Sequence, residues 1–441
     1  MLGYDVCLIE RHAFPRRHLG ESLTPGVLPL LEATGARGAV ERAGFVRAPR
    51  VDVMWDEGPR TRLDPNEEGV LVDRGAFDLL LLQRAAHLGV RVLQPAQPRA
   101  WVHDDRGWHI RVSTDSGERV VRARLLAEAT GRSQMRASRR RITGVRTMAL
   151  SAYWRGTSLP ETPRIEAGAD GWFWRVPLPD GTCNTLVFVD PDSLRHIRGR
   201  RLDPHMDALL ATSSLLPRRA EWHRDGPVRA VDATASVNLA CIDAHSIAVG
   251  DAALALDPLS SSGVQKAIQT ALAGAVVVNT LLRRPASSAL ADAFYRDSLH
   301  AAAERHRRWA ASHYAKMRIV HDTPFWRRRA EAAEPEAPPA DAPRAPSPDA
   351  PLVCAPGAAF ALRPTLDADF VVEREVVTLP ALVEPLAFLG GVHVAPLLRA
   401  LPTPLSADAI AVLWSTHLPP PTARALVRWL IAHGVLVEGR S

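Results

Sequence analysis

The run IAVGDAALALDPLSSSGVQKAIQTALAGA, Ile247 to Ala275, concentrates residues whose types and spacing suit a ligand. An apolar, strand-like stretch stops at Gly250-Asp251. Small residues follow, then Pro258, three serines and Gly263 at the head of a helix-forming segment. Small side chains let the backbone approach a bound molecule closely. A helix that starts at Ser262, Gly263 and Val264 presents N–H groups without helical partners, and such groups suit an anion. A second candidate is Glu10, which ends the β-branched run GYDVCLIE. Acids so placed bind ribose hydroxyls in dinucleotide folds, and they also end many ordinary strands. A third is GWFWRVPL, where Trp172 and Trp174 stand two apart on a strand-like segment and so share a face. There they either separate ligands or fill core. Cys7, Cys183, Cys241 and Cys354 show no CxxC or metal-type spacing. They read as reduced thiols, and no metal centre is expected.

These residues need a framework, and the chain is long enough to build one. It has 441 residues, 46% of them hydrophobic. Its longest apolar stretches fall well short of a membrane span, and its first residues carry no secretory leader. A cytoplasmic protein is expected. The net charge is +6, but the basic residues are scattered and only Lys266 and Lys316 are lysines. That pattern argues for an arginine-biased composition and against a nucleic-acid partner. Strand-like and helical segments alternate through the first half: GYDVCLIER, then a broken helix over TPGVLPLLEATGARGAVERAG. RVDVMW and the strands around it come next, then a helix running to Gly89. Strands joined by turns at Asp-Arg-Gly and Asp-Ser-Gly follow. TMALSAYWRG, GWFWRVPLPDG and CNTLVFVD suggest an inserted antiparallel sheet. The expected fold is α/β: a Rossmann-like parallel sheet with an inserted antiparallel sheet. The Pro/Ala-rich stretch 330–352 reads as an extended linker. Beyond it, 353–441 forms a small winged-helix-like domain, with short helices in ALVEPLAFL, VAPLLRAL, ADAIAVLWST and TARALVRWLIAHGVL and a strand in DFVVEREVVTL.

Taken in order, Glu10, HLGESLTPG, VDRGAFDLLLLQ, LLAEATGRS and the Ile247–Ala275 run resemble the flavin-dependent aromatic monooxygenase and halogenase superfamily, which has the fold of para-hydroxybenzoate hydroxylase. The resemblance covers residues 1–329. It implies FAD, held by segments about 1–45, 73–140 and 240–285, with a substrate sheet from about 46–72 and 141–239 and helices over 286–329. Asp251, after Gly250, would accept hydrogen bonds from the ribityl hydroxyls. Pro258 would bend the chain past the isoalloxazine ring. Ser262, Gly263 and Val264 would face its pyrimidine edge. Gly20, Glu21 and Ser22 of the GES segment would lie beside the flavin. Arg74 would contact the flavin or its diphosphate, and Gly131 would permit a close approach to that diphosphate. The family also begins with a strand and a GxGxxG turn. This sequence starts at what resembles the second strand: either its start has been placed too late, which is the expectation, or the first βα unit has been lost.

GWFWRVPL resembles the halogenase signature WxWxIP, and DPLSSSG resembles the PxxSxG segment that lies against the flavin. Halogenases of this type use a lysine that follows a GF after the GES segment. Here that place reads AGFVRAP, with Arg47 and Ala48. Arginine stays protonated and is a poor chloramine former. Ser260 stands where tryptophan halogenases carry a glutamate. The resemblance therefore implies hydroxylation of an electron-rich aromatic ring, of the indole type, free or carried on a peptide. The route would be a flavin hydroperoxide formed from O2, with reduction by NAD(P)H directly or by a partner reductase. Arg47 is read either as stabilising an anionic substrate or as a solvated arginine. His12, His18 and Asp257 are the candidate bases. The C-terminal module resembles peptide-recognition modules, and the whole resembles flavoprotein monooxygenases of tryptophylquinone cofactor biogenesis. The alternatives are a halogenase using Lys266, a flavin-free scaffold, and a reductase.

Overall fold

The structure is a computed structural model. It describes all residues except 1, 49, 56–57, 64–68, 134–138, 158, 198–201, 217–220, 332, 334–345, 348, 403 and 440–441, with the backbone alone at 58–63. Most of the expected linker lies outside the described residues. The chain divides into two compact units: Met1–Val278 with Tyr295–Glu334, and Asn279–Phe294 with Pro335–Ser441.

In the first unit, Cys7–Ile9 pairs in parallel with Arg91–Leu93, and Leu126–Glu128 pairs in parallel with Ser246–Ala248. The parallel sheet expected from sequence is therefore present as two separate ladders. Among the described residues no strand hydrogen-bonds the one to the other. Helices α1 (Val27–Ala33) and α2 (Arg37–Arg42) realise the broken helix, which Gly35 interrupts at φ 66°. Helix α3 (Arg74–His87) starts where the Asp73 carboxylate accepts the Ala76 N–H at 2.7 Å. It stops two residues before Gly89, whose φ of 91° ends the helical turn.

Among the described residues the inserted sheet has eight strands. Met148–Gly156, Cys183–Val189, Gly171–Pro177 and Arg164–Gly168 run antiparallel in that spatial order, and Arg50–Trp55 joins the last of them in parallel. That parallel pairing brings two distant stretches of sequence into one sheet. The strands are rich in aromatic and β-branched residues and are buried on both faces. Phe173 and Val187 face a core shared with α4 (Leu202–Ala211). Trp172, Leu186 and Phe188 face the opposite core.

Three helices contribute to this unit: α5 (Gly263–Arg283) as far as Val278, α6 (Ser288–Arg318) from Tyr295, and α7 (Pro324–Ala330). The Tyr295 hydroxyl on α6 donates to Ala248 O at 2.7 Å, at the end of a parallel strand. Further along α6, Ala310, Tyr314 and Met317 pack into the core that contains Trp172. The Trp326 indole N–H on α7 donates to Ala169 O at 2.9 Å, at the turn before the Trp172 strand. One long helix thus braces the nucleotide-type strands and the inserted sheet together.

The second unit has its own core, built from Val377, Leu398, Trp414, Leu426 and Leu430 among others. Helices α8 (Val394–Arg399), α9 (Ala407–Trp414) and α10 (Pro420–Ala432) fall where expected. The helix expected over ALVEPLAFL does not form. Pro385 removes a backbone donor in mid-segment, Leu386 bridges Val377, and Phe388–Leu389 is a short strand turning back through Gly390 and Gly391. The hairpin partner of Phe370–Thr378 is Ala359–Asp367, a strand that its alanines and Pro364 disguise. Among the described residues no helix is long and apolar enough to cross a membrane.

Candidate functional site

The strand Ser246–Ala248 ends in a turn at Gly250, where φ is 61°. Gly250 N–H donates to Thr270 Oγ1 on α5 at 2.8 Å, which sets the turn against that helix. Asp251 follows, its side chain 38% exposed, with Arg132 Nε 3.5 Å from its carboxylate. Arg140 donates through Nη2 to Asp251 O at 2.7 Å and to Gly131 O at 3.2 Å. One guanidinium therefore ties together the two turns that sequence assigned to a ligand. Gly131 has φ 65°, and a Cβ there would meet no described atom within 4 Å. The backbone at Gly131 borders open space beside an exposed carboxylate, which suits a polyhydroxylated, phosphorylated ligand.

The second half of the loop is pinned at Asp257. Its Oδ1 accepts the Leu259 N–H at 3.0 Å and the Tyr314 hydroxyl at 2.9 Å. Burial and the neighbouring Asp257 carboxylate push the Tyr314 phenol well up, so it stays a donor. Pro258–Ser260 makes a single 3-10 turn, and Ser261 then adopts a left-handed φ of 51°. That strain of about 1–2 kcal/mol redirects the chain into α5. The Lys266 N–H to Ser262 O bond, 2.9 Å, closes the first helical turn. The N–H groups at Gly263 and Val264 precede any helical partner. His306 Nε2 lies 3.2 Å from Asp257 O, and burial lowers the pKa of this imidazole.

Gly20 sits against the same helix start. With φ 99°, it disfavours any other residue, and a Cβ would lie 2.7 Å from Arg74 Nη1, forcing that guanidinium to shift, and 3.7 Å from Val264 Cγ2. Arg74 donates to Leu19 O at 2.7 Å and pairs with Asp78 at 3.0 Å. Here it fastens the Gly20 turn beside Val264. Glu21 is 2% exposed, and its carboxylate accepts three hydrogen bonds. They come from the Tyr153 hydroxyl at 2.7 Å, Asn184 Nδ2 at 2.8 Å and Gly20 N at 3.0 Å. Burial raises its pKa against those donors. Glu21 thereby anchors the turn to the inserted sheet, while Ser22 pairs with Leu71.

Trp172 is 1% exposed and stacks on Phe188 with ring centroids 3.7 Å apart. Its indole N–H, near the Tyr314 hydroxyl, closes no hydrogen bond of normal geometry. Trp174 lies on the same side, and Leu19 and Leu259 pack into that cluster. The tryptophan face thus covers both loops. Arg47 is placed differently. Its neighbour Ala48 packs against the Leu71, Val176 and Leu178 cluster that Trp174 also borders, whereas Arg47 alternates to the other side of its strand. There its side chain is 42% exposed and lies 3.6 Å from Glu41. Glu10 accepts the His12 N–H at 2.8 Å at the end of its strand. His18 is exposed, its Nδ1 2.8 Å from Leu19 O. Sequence reasoning missed Arg140, Tyr314 and His306, which act on the site across 49 or more residues. Nothing in the local pattern of α6 separates Tyr314 from its core neighbours. Among the described residues no cluster of three His, Cys, Asp or Glu could hold a metal ion.

Residues 47–341 match the protein-family model for tryptophan halogenase, well over half of the chain. The tryptophan 2-halogenase of Chondromyces crocatus is 28% identical over 370 residues, covering 75% of this chain and 67% of that protein. The flavin-dependent halogenase armH2 of Armillaria mellea is 26% identical over 351 residues, covering 69% and 66%. The chain spans about two thirds of the length of these relatives. Among solved structures, the peptidyl tryptophan dihydroxylase QhpG, essential for tryptophylquinone cofactor biogenesis, is 30% identical. It matches over 98% of this chain and 94% of its own, with a TM-score of 0.71. The flavin-dependent halogenase CmlS shares the fold at 20% identity, with a TM-score of 0.78 over 100% and 94% of the two chains. Turns shaped for close backbone approach, an exposed aspartate, a helix start and these likenesses converge: the chain belongs to the tryptophan halogenase family, a class of flavin-dependent oxidoreductases.

Proposed function

We propose that this protein is an FAD-dependent monooxygenase that hydroxylates an electron-rich aromatic ring, of the indole type and carried on a peptide. The observation that carries the reading is Arg47. It stands where a halogenase would present an amine to its substrate, and it is exposed beside Glu41. Reduced FAD supplies the activation of O2: one oxygen atom enters the ring and the other leaves as water, with two electrons from NAD(P)H or a partner reductase. The residues present suit that cofactor. Asp251 would accept its ribityl hydroxyls, Gly131 would admit its diphosphate, and Ser262, Gly263 and Val264 would face its anionic edge. Arg140 and Tyr314 hold those turns in place. Trp172, Trp174 and Leu259 form an apolar cluster that would exclude water from the reacting ring. Similarity to QhpG along nearly the whole chain supports a peptide-borne ring. The winged-helix-like C-terminal unit is the candidate for recruiting that peptide.

Halogenation is the second reading, favoured by the family model and by the names of the relatives. A single reaction separates the two. The FAD-loaded protein is reduced and given a tryptophan-containing peptide, isotopically heavy O2 and excess bromide. Heavy oxygen on the indole is the expected product by mass spectrometry. A product with the bromine isotope doublet and no added oxygen would overturn the hydroxylase reading.

A further inference from the structure

Around Tyr314 the core is built from oxidisable rings in direct contact. The Tyr314 and Trp326 ring centroids are 6.0 Å apart, and those of Trp326 and Trp55 are 5.5 Å apart. Trp172 joins the cluster 6.4 Å from Trp55. Such separations are those of touching aromatic side chains. The series joins two different environments. Its inner end, Tyr314, is buried and donates its hydroxyl to Asp257 Oδ1 at 2.9 Å, in the loop that leads into α5. Its outer end, Trp55, is only partly buried. Between them Trp326 is fully buried, and its indole N–H donates to Ala169 O at 2.9 Å. Trp55 donates its own indole N–H to His313 O at 3.3 Å. Phenylalanine or leucine would fill this space without those polar demands. Packing therefore leaves the choice of rings unexplained, whereas indoles and phenols share the capacity to give up one electron. The Arg329 guanidinium stands 6.0 Å from the Tyr314 ring centroid, and a cation there opposes a positively charged ring. An electron leaves Tyr314 readily only if the phenolic proton leaves with it, and the Asp257 carboxylate already accepts that proton in a hydrogen bond.

We propose that Tyr314, Trp326 and Trp55 relay single electrons from the surface to the Asp257 loop, so that an oxygen radical formed there is reduced before it damages the site. A hydroperoxyl radical takes one electron from Tyr314 and one proton from solvent and becomes hydrogen peroxide, while the phenolic proton moves to Asp257. Trp326 then returns an electron to Tyr314, and the proton comes back from Asp257. Trp55 refills Trp326, and a thiol in solution refills Trp55. Two such events turn two thiols into one disulfide and release the two protons that the two radicals took up. The flavin reading supplies only the source of the radical, and the test needs no flavin, so the relay and that reading fail separately. Azide radicals made by pulse radiolysis oxidise exposed indoles of the full chain, and transient absorption follows the electron hole. An indolyl signal that decays into a phenoxyl signal, at a rate independent of protein concentration, is expected. Tyr314→Phe should lose most of the phenoxyl growth, and Trp55→Phe and Trp326→Phe should each slow it. Asp257→Asn, which removes the proton acceptor, should slow it too, as should heavy water in the parent. Unfolding curves check that each variant is folded, and Trp55→Phe, at the partly exposed end, decides if the buried variants are not. No phenoxyl growth in the parent, a rate that rises with protein concentration, or growth unchanged in folded Tyr314→Phe or Trp55→Phe would overturn the relay. Equal rates in light and heavy water would overturn the coupling to Asp257 on which it depends.

Discussion

At the scale of single residues, the site depends on polar groups whose partners are far away in sequence. Arg140 joins Gly131 to Asp251, Glu21 ties Gly20 to the inserted sheet, and Tyr314 and His306 hold Asp257. His306 gives a prediction with a definite sign. Its folded pKa lies below the ordinary 6.5 because burial disfavours the imidazolium. The unfolded chain therefore takes up this proton first. The stability contributed by neutral His306 is fully present above about pH 6.5 and is lost as pH falls toward the depressed folded value. His306→Asn should flatten that acid limb relative to the parent, as read by thermal unfolding across pH 5 to 8. Parallel curves for parent and variant would count against a buried neutral His306. Gly131, Asp251 and the Ser262–Val264 start could be named as candidates from the sequence, because each announces itself by small size or by a position beside a strand or helix end. Which of its two readings Arg47 follows was not legible, because its side depends on strand alternation, with Ala48 packing against the Leu71, Val176 and Leu178 cluster.

At the scale of elements, the loop from Asp257 to Val264 is a strained connection between a short strand and a long helix. Ser261 holds a left-handed φ, and the Asp257 carboxylate accepts from both its own loop and α6. Tyr314→Phe keeps the ring and removes the donor. It should cost about 1.5–3 kcal/mol in denaturant unfolding, the range for a hydrogen bond to a charged group, and should weaken FAD binding in parallel. A stability loss with unchanged flavin affinity would show that α6 supports the fold without shaping the loop. The strands of the inserted sheet were readable from β-branched and aromatic runs, and so were α3, α5 and α6 from their lengths. The Ala359–Asp367 strand and the absent helix over residues 381–389 were not. In both, tertiary pairing overrides composition: Phe370–Thr378 recruits a strand that carries Ala359, Ala361 and Pro364, and Pro385 breaks an otherwise helical pattern.

At the scale of the whole molecule, segments spread over some 250 residues supply the Gly20, Gly131, Asp251 and Gly263 turns of the first unit. The second unit carries a separate core of its own. Family membership was legible because the order of motifs survives, although each motif alone is common. The division of the chain was less so: residues 279–294 cluster with the C-terminal unit. There Asn279 donates to Asp369 O at 2.6 Å, and Thr280 Oγ1 accepts the Val371 N–H at 2.9 Å. The measurement that tests the central claim most directly is a titration of FAD into the full chain and into its Gly131→Ala variant, followed by flavin fluorescence. A Cβ at Gly131 would meet no described atom within 4 Å, so apart from backbone strain of about 1–2 kcal/mol an alanine there harms chiefly what lies in the open space beside it. The parent is expected to bind one FAD, and the folded variant to bind at least about tenfold more weakly, the loss of 1.4 kcal/mol or more at that contact. Equal affinity in the two proteins, or no FAD binding by the parent, would contradict a flavin seated between Gly131, Asp251 and the start of α5.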